Sequence, residues 1–252
     1  GYIMYNRVYT MSNENVCCYK NIYNFDNAHV LSVLGSGDQY FSSLLYGACQ
    51  VDVMDINYTA WLYFRIKFKA IKVLSYNEFI DLFINRKFND MDIYNKLYLV
   101  LDDEEVQYYI YLIGHINNNL VNDCFNPMLI GRTSDTWKNK GKIIPYLNEE
   151  NYYILKEIIM DKELPVFYNE DFMRMKQNDG YNILLLSNIY DYIDAGVDEY
   201  CEYILKYGAD EALVRYCWCV EQSFDKFIKN GVVIDKVRGT FTRKNYVLSL
   251  RK

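Results

Sequence analysis

His29-Val-Leu-Ser-Val-Leu-Gly-Ser-Gly-Asp-Gln39, followed by Val51-Asp-Val-Met-Asp55, is the stretch whose reading decides the fold. Val30, Leu31, Val33 and Leu34 form a short apolar run that ends in the turn Gly35-Ser-Gly37. A continuous apolar run bounded by turn residues is the pattern of a strand buried on both faces of a sheet. A helical run from Tyr40 to Ala48 follows, and a second apolar strand finishes in Asp55. Strand, glycine turn, helix, strand, acid is the order of a nucleotide-binding βαβ unit. Gly35 and Gly37 allow backbone angles and a close ligand approach that a Cβ would forbid. The N–H groups of Ser36, Asp38 and Gln39 open the helix and can hold a polar or anionic group. Asp55 stands about 20 residues beyond the first glycine, where an acid accepts both hydroxyls of a ribose, with Ile56 and Asn57 next to it.

The rest of the composition agrees with one α/β domain carrying an insertion. A chain of 252 residues can bury a sizeable core, and 51% hydrophobic against 24% charged residues is the balance of an ordinary globular protein. The 27 tyrosines, with abundant Asn, Ile and Lys, fit an AT-rich coding sequence better than a stacking surface. A net charge of −6 argues against a general binder of nucleic acid or anionic membranes. No apolar run reaches the ~18–20 residues of a membrane helix, and none has the form of a secretory signal. The seven cysteines are odd in number and lack paired Cys-x-x-Cys spacing, so they are expected to be reduced, buried residues of a cytoplasmic protein. The two histidines stand apart, so no metal site is expected.

Five stretches together resemble a known family: Ser12-Asn-Glu-Asn15, Val30 to Gln39, Asp52-Val-Met-Asp-Ile-Asn57, Lys67-Phe-Lys-Ala-Ile-Lys72 and Leu186-Ser-Asn-Ile-Tyr-Asp-Tyr192. They are similar to a branch of the class I S-adenosylmethionine (SAM)-binding proteins. Within it they resemble the SAM:diacylglycerol 3-amino-3-carboxypropyl transferases of betaine-lipid synthesis. The likeness is good over residues 12–83 and again over 184–193. Two positions depart from the common methyltransferase pattern: Val33 stands where an acid usually precedes the first glycine, and Gln39 replaces the third glycine. The resemblance implies SAM as co-substrate and places Ser12-Asn-Glu-Asn15 over it. Read from the residues alone, Ser12 is equally a helix N-cap with Glu14 in the first turn.

The helix expected over 59–74 alternates Trp61, Leu62, Phe64, Ile66, Phe68 and Ile71 with Arg65, Lys67, Lys69 and Lys72, and these basic residues read as a solvated face. Residues 75–162 then interrupt the strand–helix alternation with helices over 77–83, 104–116 and 149–160. This mostly helical insertion is a candidate lid over an acceptor, or a dimerisation element. Asp102-Asp-Glu-Glu105 reads as the favoured acidic first turn of a helix. Alternation resumes with a third strand, 164–168. There Asp171 is the expected polar contact to adenine, and Phe172 a wall for the ring, as class I SAM proteins arrange them. A fourth strand, 181–187, leads into Ser187 and Asn188, which should face the ligand at the carboxyl end of the sheet. Helices over 197–207 and 222–229 and strands over 212–220, 232–237 and 242–250 complete a Rossmann-like sheet. That sheet is expected to have seven mostly parallel strands with the last one antiparallel.

The expected function is therefore a SAM-dependent transferase. The resemblance favours transfer of the 3-amino-3-carboxypropyl group to a small-molecule acceptor. Methyl transfer on the same fold is the alternative, and a non-catalytic SAM- or nucleotide-binding protein a second one. Asp191 and Tyr192 are the catalytic candidates on the acceptor side, although Asp191 equally suits a cap of the following turn. No nucleic-acid partner and no stable membrane insertion are expected, and an oligomer stays open.

Overall fold

The computed structural model describes residues 5–6, 8, 10–12, 14, 16–85, 87–115, 141, 143–176, 180–187, 189–207, 211–217, 232–235 and 246–251. For 114, 115, 191, 197 and the last three of these segments the description covers the backbone alone. The helix expected over 222–229 lies outside it.

Strand β1 (His29–Val33) is the centre of the sheet, paired in parallel with β2 (Gln50–Met54) on one side and β4 (Ile183–Leu185) on the other. Beyond β2 lies β3 (Phe167–Tyr168), and beyond β4 lies β5 (Glu211–Cys217), both parallel to their neighbours. The remaining strands are β6 (Val232–Asp235) and β7 (Tyr246–Arg251), with β7 antiparallel to both β5 and β6. Among the described residues the order is β3-β2-β1-β4-β5-β7-β6. The chain winds outward from β1 to β3, returns, and winds outward again from β4. That reversal leaves a crevice above the carboxyl ends of β1 and β4, where α/β sheets bind ligands.

Because successive strand residues point to opposite faces, Val30 and Leu31 serve two separate cores. Val30, Val53, Ile183 and Leu185 belong to a large cluster on one face, whereas Leu31, Met54, Leu184 and Leu186 belong to a smaller one on the other. Helices α1 (Asp38–Leu45) and α2 (Tyr58–Val73) supply the first cluster with Phe41, Phe64 and Phe68. Helix α7 (Val197–Lys206) covers the second with Tyr200 and Ile204.

The basic residues of α2 depart from the expectation of a solvated face. None of Arg65, Lys67, Lys69 and Lys72 is exposed, and Lys67 is 0% exposed. The helices of 75–162 explain why: they pack over that face. They are α3 (Tyr76–Phe83), α4 (Met91–Tyr98), α5 (Glu104–His115) and α6 (Glu149–Ile159). Phe79, Leu97, Tyr109, Tyr146 and Tyr152 are buried in the same cluster as α1 and α2. Lys156 of α6 donates to the carbonyls of Ile71 and Leu74, placing a cation at the C-terminal end of α2 where the helix dipole favours it. Ser75 and Glu78 form a reciprocal capping box that starts α3. Asp103 caps α5 through the N–H groups of Glu105 and Val106 and pairs with Arg65 at 3.1 Å. The acidic run at 102–105 therefore has a structural account. Helix α4 was not anticipated, although Asp90 as its N-cap and buried Ile93, Tyr94 and Leu97 at helical spacing carry the signal.

Candidate functional site

The turn that leaves β1 is closed by the Gly37 N–H donating to the Leu34 carbonyl at 2.7 Å. Both glycines are in the left-handed region, Gly35 at φ 49° and Gly37 at φ 86°. Their surroundings separate their roles. A Cβ on Gly35 would meet nothing within 4 Å, whereas one on Gly37 would lie 2.6 Å from Phe64 Cδ2. Gly35 opens onto the crevice, and Gly37 lets the start of α1 close against α2.

Above this turn is a cavity of about 290 Å³, near the lower end of the range for small-ligand sites. Gly35, Ser36, Gln39, Asp55, Ile56, Asn57, Asp171, Phe172, Ser187 and Tyr192, all singled out from the sequence, line it. Gly37 and Asp38 do not. Asn188 lies outside the described residues, as does the side chain of Asp191, whose backbone belongs to the 3-10 turn Ile189–Tyr192. The wall also holds Ser12 and Glu14, from the stretch that the resemblance places over SAM, and Val8, Ala60, Glu170, Ile189 and Ile193, which were not named as site residues. No residue of 75–162 contributes to it among the described residues. Those helices back the site without reaching it.

At one end of the cavity, Asp55 follows β2. Its Oδ2 accepts from the Gly35 N–H at 3.0 Å and its Oδ1 from the Asn57 N–H at 2.9 Å. The carboxylate is thereby fixed against the glycine turn, and with about four lone-pair sites it can accept further donors. Burial raises its pKa, and the backbone N–H donors of Asn57 and Gly35 oppose that rise. Asn57 in turn caps α2 by accepting from the Thr59 N–H. Asp171 accepts from the Met173 N–H at 2.8 Å, capping the short turn that presents Phe172. Phe172 is buried and stacks on Tyr207 at 5.3 Å, so its ring direction is set from behind.

At the other end, Ser187 leaves β4 with φ 51°, a conformation that costs a non-glycine residue on the order of 1 kcal/mol. Its hydroxyl donates to Glu14 Oε1, and the Tyr19 hydroxyl donates to Glu14 Oε2. Glu14 is 3% exposed, and burial pushes its pKa up to about 7, with the hydrogen bonds from Tyr19 and Gln39 opposing. The two readings of Ser12-Asn-Glu-Asn15 are compatible: Glu14 lines the cavity, and Ser12 Oγ accepts from its N–H as a cap does. Val8, Ser12 and Glu14 cover this side of the cavity.

Beneath the turn lies a buried ion pair that the sequence reading did not anticipate. Lys67 Nζ donates to the carbonyls of Thr10 and Ser36, each at 2.8 Å, and stands 3.5 Å from Asp38 Oδ1. Asp38 also accepts from the Ser12 N–H at 2.5 Å and from the Tyr146 hydroxyl. Burial lowers the pKa of Lys67 and Asp38 opposes it. This network holds the glycine turn, the covering segment and the inserted helices together.

Glu14, Asp55, Glu170 and Asp171 line the cavity, while no Lys, Arg or His does so among the described residues. Such a site suits a ligand with hydroxyl donors and positive charge, and among the described residues it offers no cationic side chain to neutralise phosphates. No group of three His, Cys, Asp or Glu able to hold a metal ion occurs among the described residues. Of the cysteines whose side chains are described, all reduced, Cys201 is buried, whereas Cys17 and Cys18 are half-buried and Cys49 is exposed, so burial holds for one of the four. No helix among the described residues is long and apolar enough to cross a membrane.

Comparison with known proteins shows no family. No family model matches the chain, and neither does any curated protein. Among solved structures it is similar to the crystal structure of a Listeria monocytogenes protein ascribed to the S-adenosylmethionine-dependent methyltransferases. The identity is 9% and the TM-score 0.41, over 94% of this chain and 98% of that one.

Proposed function

We propose that the cavity binds SAM and that the protein is a SAM-dependent transferase. One observation carries this reading. The crevice at the sheet's reversal presents Asp55 beside the glycine turn and is lined by four carboxyl side chains with no basic side chain among the described residues. Asp55 suits the ribose hydroxyls, Phe172 offers a face to adenine, and the carboxyls suit a cationic sulfonium. A dinucleotide, whose pyrophosphate needs positive or N–H-rich surroundings, is a poorer match.

In such a reaction the acceptor's electron pair forms a bond to a carbon attached to sulfur. The carbon–sulfur bond breaks, its electrons go to sulfur, and the positive charge there is lost. The enzyme's main contribution is to hold acceptor and leaving sulfur in line. Tyr192, 70% exposed at the mouth of the cavity, is placed to meet an acceptor, and Asp191 precedes it on the same turn. An alcohol or protonated amine acceptor would also need a general base, the role proposed for Asp191. The group proposed to move is the 3-amino-3-carboxypropyl arm, on the sequence resemblance.

Calorimetry with SAM tests the binding. Asp55→Ala should lower the affinity by about 2 kcal/mol, since two ribose hydroxyls lose their acceptor in a closed site. Because Asp55 also serves two backbone N–H groups, the variant's stability should be measured alongside. An unchanged affinity would remove the ribose assignment. Turnover with a cell extract then identifies the group: methylthioadenosine marks aminocarboxypropyl transfer, and S-adenosylhomocysteine alone marks methyl transfer.

A further inference from the structure

The wall of the cavity includes a buried carboxyl that the ribose and adenine assignments leave without a task. We infer that Glu14, with Gln39 beside it, is the receptor for the α-ammonium group of the bound nucleoside's amino-acid arm. This deepens the SAM reading and rests on it.

Sheet order fixes which end of the ligand meets Glu14. Asp55 and Phe172 follow β2 and β3, on one side of β1. Glu14 is bonded to Ser187, which follows β4 on the other side, and to Gln39 on the first turn of α1. A nucleoside with its ribose on Asp55 therefore directs its 5′ substituent across the glycine turn toward Glu14. Val33, also in the wall, is apolar and offers that substituent nothing charged.

The chemistry at this end is that of a cation receptor. Glu14 supplies two carboxyl oxygens inside the protein. Gln39 is 5% exposed, and its Oε1 is buried with no hydrogen-bond donor among the described residues, an acceptor left over. An ammonium group carries three donors and no acceptor, which complements this set. The other ionisable groups facing Glu14 are the Tyr19 phenol and the Cys18 thiol, both from the turn Val16–Asn21. Across the cavity stand the carboxyls of Asp55, Glu170 and Asp171. No cation lines the cavity among the described residues, so the arriving ammonium is the positive partner that ionises Glu14. Glu14, raised to about 7, holds its proton below that pH until the ligand comes. Binding then releases the proton.

Calorimetry on the unaltered protein, with S-adenosylhomocysteine and 5′-methylthioadenosine as probes, tests this. The first carries the ammonium and the second lacks the whole arm. At pH 6.5, repeated in buffers of different ionisation enthalpy, the homocysteine compound should release a fraction of a proton and methylthioadenosine none. Its affinity should also rise several-fold from pH 6 to pH 8. Glu14→Gln should abolish the release and weaken the homocysteine compound at least tenfold at pH 8, with methylthioadenosine within twofold. Equal proton release by both ligands, or equal weakening of both, would show that Glu14 only supports the covering segment and would overturn the inference. Binding of neither ligand would instead overturn the SAM reading beneath it.

Discussion

Replacing Lys67 with Met removes an ammonium group from the interior while keeping an unbranched apolar stem of similar reach. The ammonium is 0% exposed and serves two carbonyls at 2.8 Å and Asp38 at 3.5 Å. Two effects oppose each other. The variant no longer has to desolvate a cation, yet it leaves Asp38 as an unpaired charge and two carbonyls short of a donor. Removing one partner of a buried pair costs about 3–5 kcal/mol. Asp38 keeps the Ser12 N–H and the Tyr146 hydroxyl, so the lower end, about 3 kcal/mol, is expected. With a urea m-value of about 3 kcal/mol/M, the denaturation midpoint should fall by about 1 M. Combining Lys67→Met with Asp38→Asn should cost clearly less than the two single changes added together, because the second removes the charge that the first left unpaired. A loss below about 1 kcal/mol for Lys67→Met, or strict additivity, would refute the view of this pair as the tie beneath the glycine turn.

Glycine substitutions should divide by surroundings: Gly35→Ala carries only the left-handed backbone penalty of about 1–2 kcal/mol, whereas Gly37→Ala adds an overlap with Phe64 and should cost about 2–4 kcal/mol. Thermal melts in which Gly35→Ala proves the more damaging of the two would contradict that division. Glu14 should make stability depend on pH. Its folded pKa of about 7 lies above the ordinary carboxyl value of 4.5, so the folded state keeps a proton that the unfolded chain has already released. Stability is therefore full below 4.5 and falls as the pH rises toward and through 7, by up to about 3 kcal/mol. Glu14→Gln should flatten this slope in denaturation series at pH 5 and pH 8, and an unaltered slope would assign it to other groups.

What could be read from the sequence, and what could not, follows from the range of the interactions involved. The β1 turn, Asp55 and the strand ending in Ser187 announce themselves because an apolar run and its flanking turn residues are neighbours in the chain. Lys67 misled because its alternation with Phe64 and Phe68 is what a half-exposed helix looks like. Its partners Thr10, Ser36 and Asp38, remote in sequence, and the inserted residues packed on the same helix reveal it as interior. Glu14 was ambiguous for the same reason. Its partners Tyr19, Gln39 and Ser187 come from three separate parts of the chain, and no local pattern foretells the last of them. The different tasks of Gly35 and Gly37 likewise depend on where Phe64 falls, which spacing does not encode.

Tyr146 gives the inserted region a meaning for protein engineering. Its hydroxyl reaches Asp38 at the first turn of α1, and Tyr152 reaches the Leu74 carbonyl at the end of α2, so the insertion holds the helix of the opening βαβ unit and the helix that follows it. It is consequently not an exchangeable cassette. A chimera that grafts a different insertion onto this sheet would have to bring its own phenol to that carboxylate. Modularity in this protein stops where the two tyrosines begin, and a boundary drawn at residue 75 for cloning would cut through the core instead of between parts.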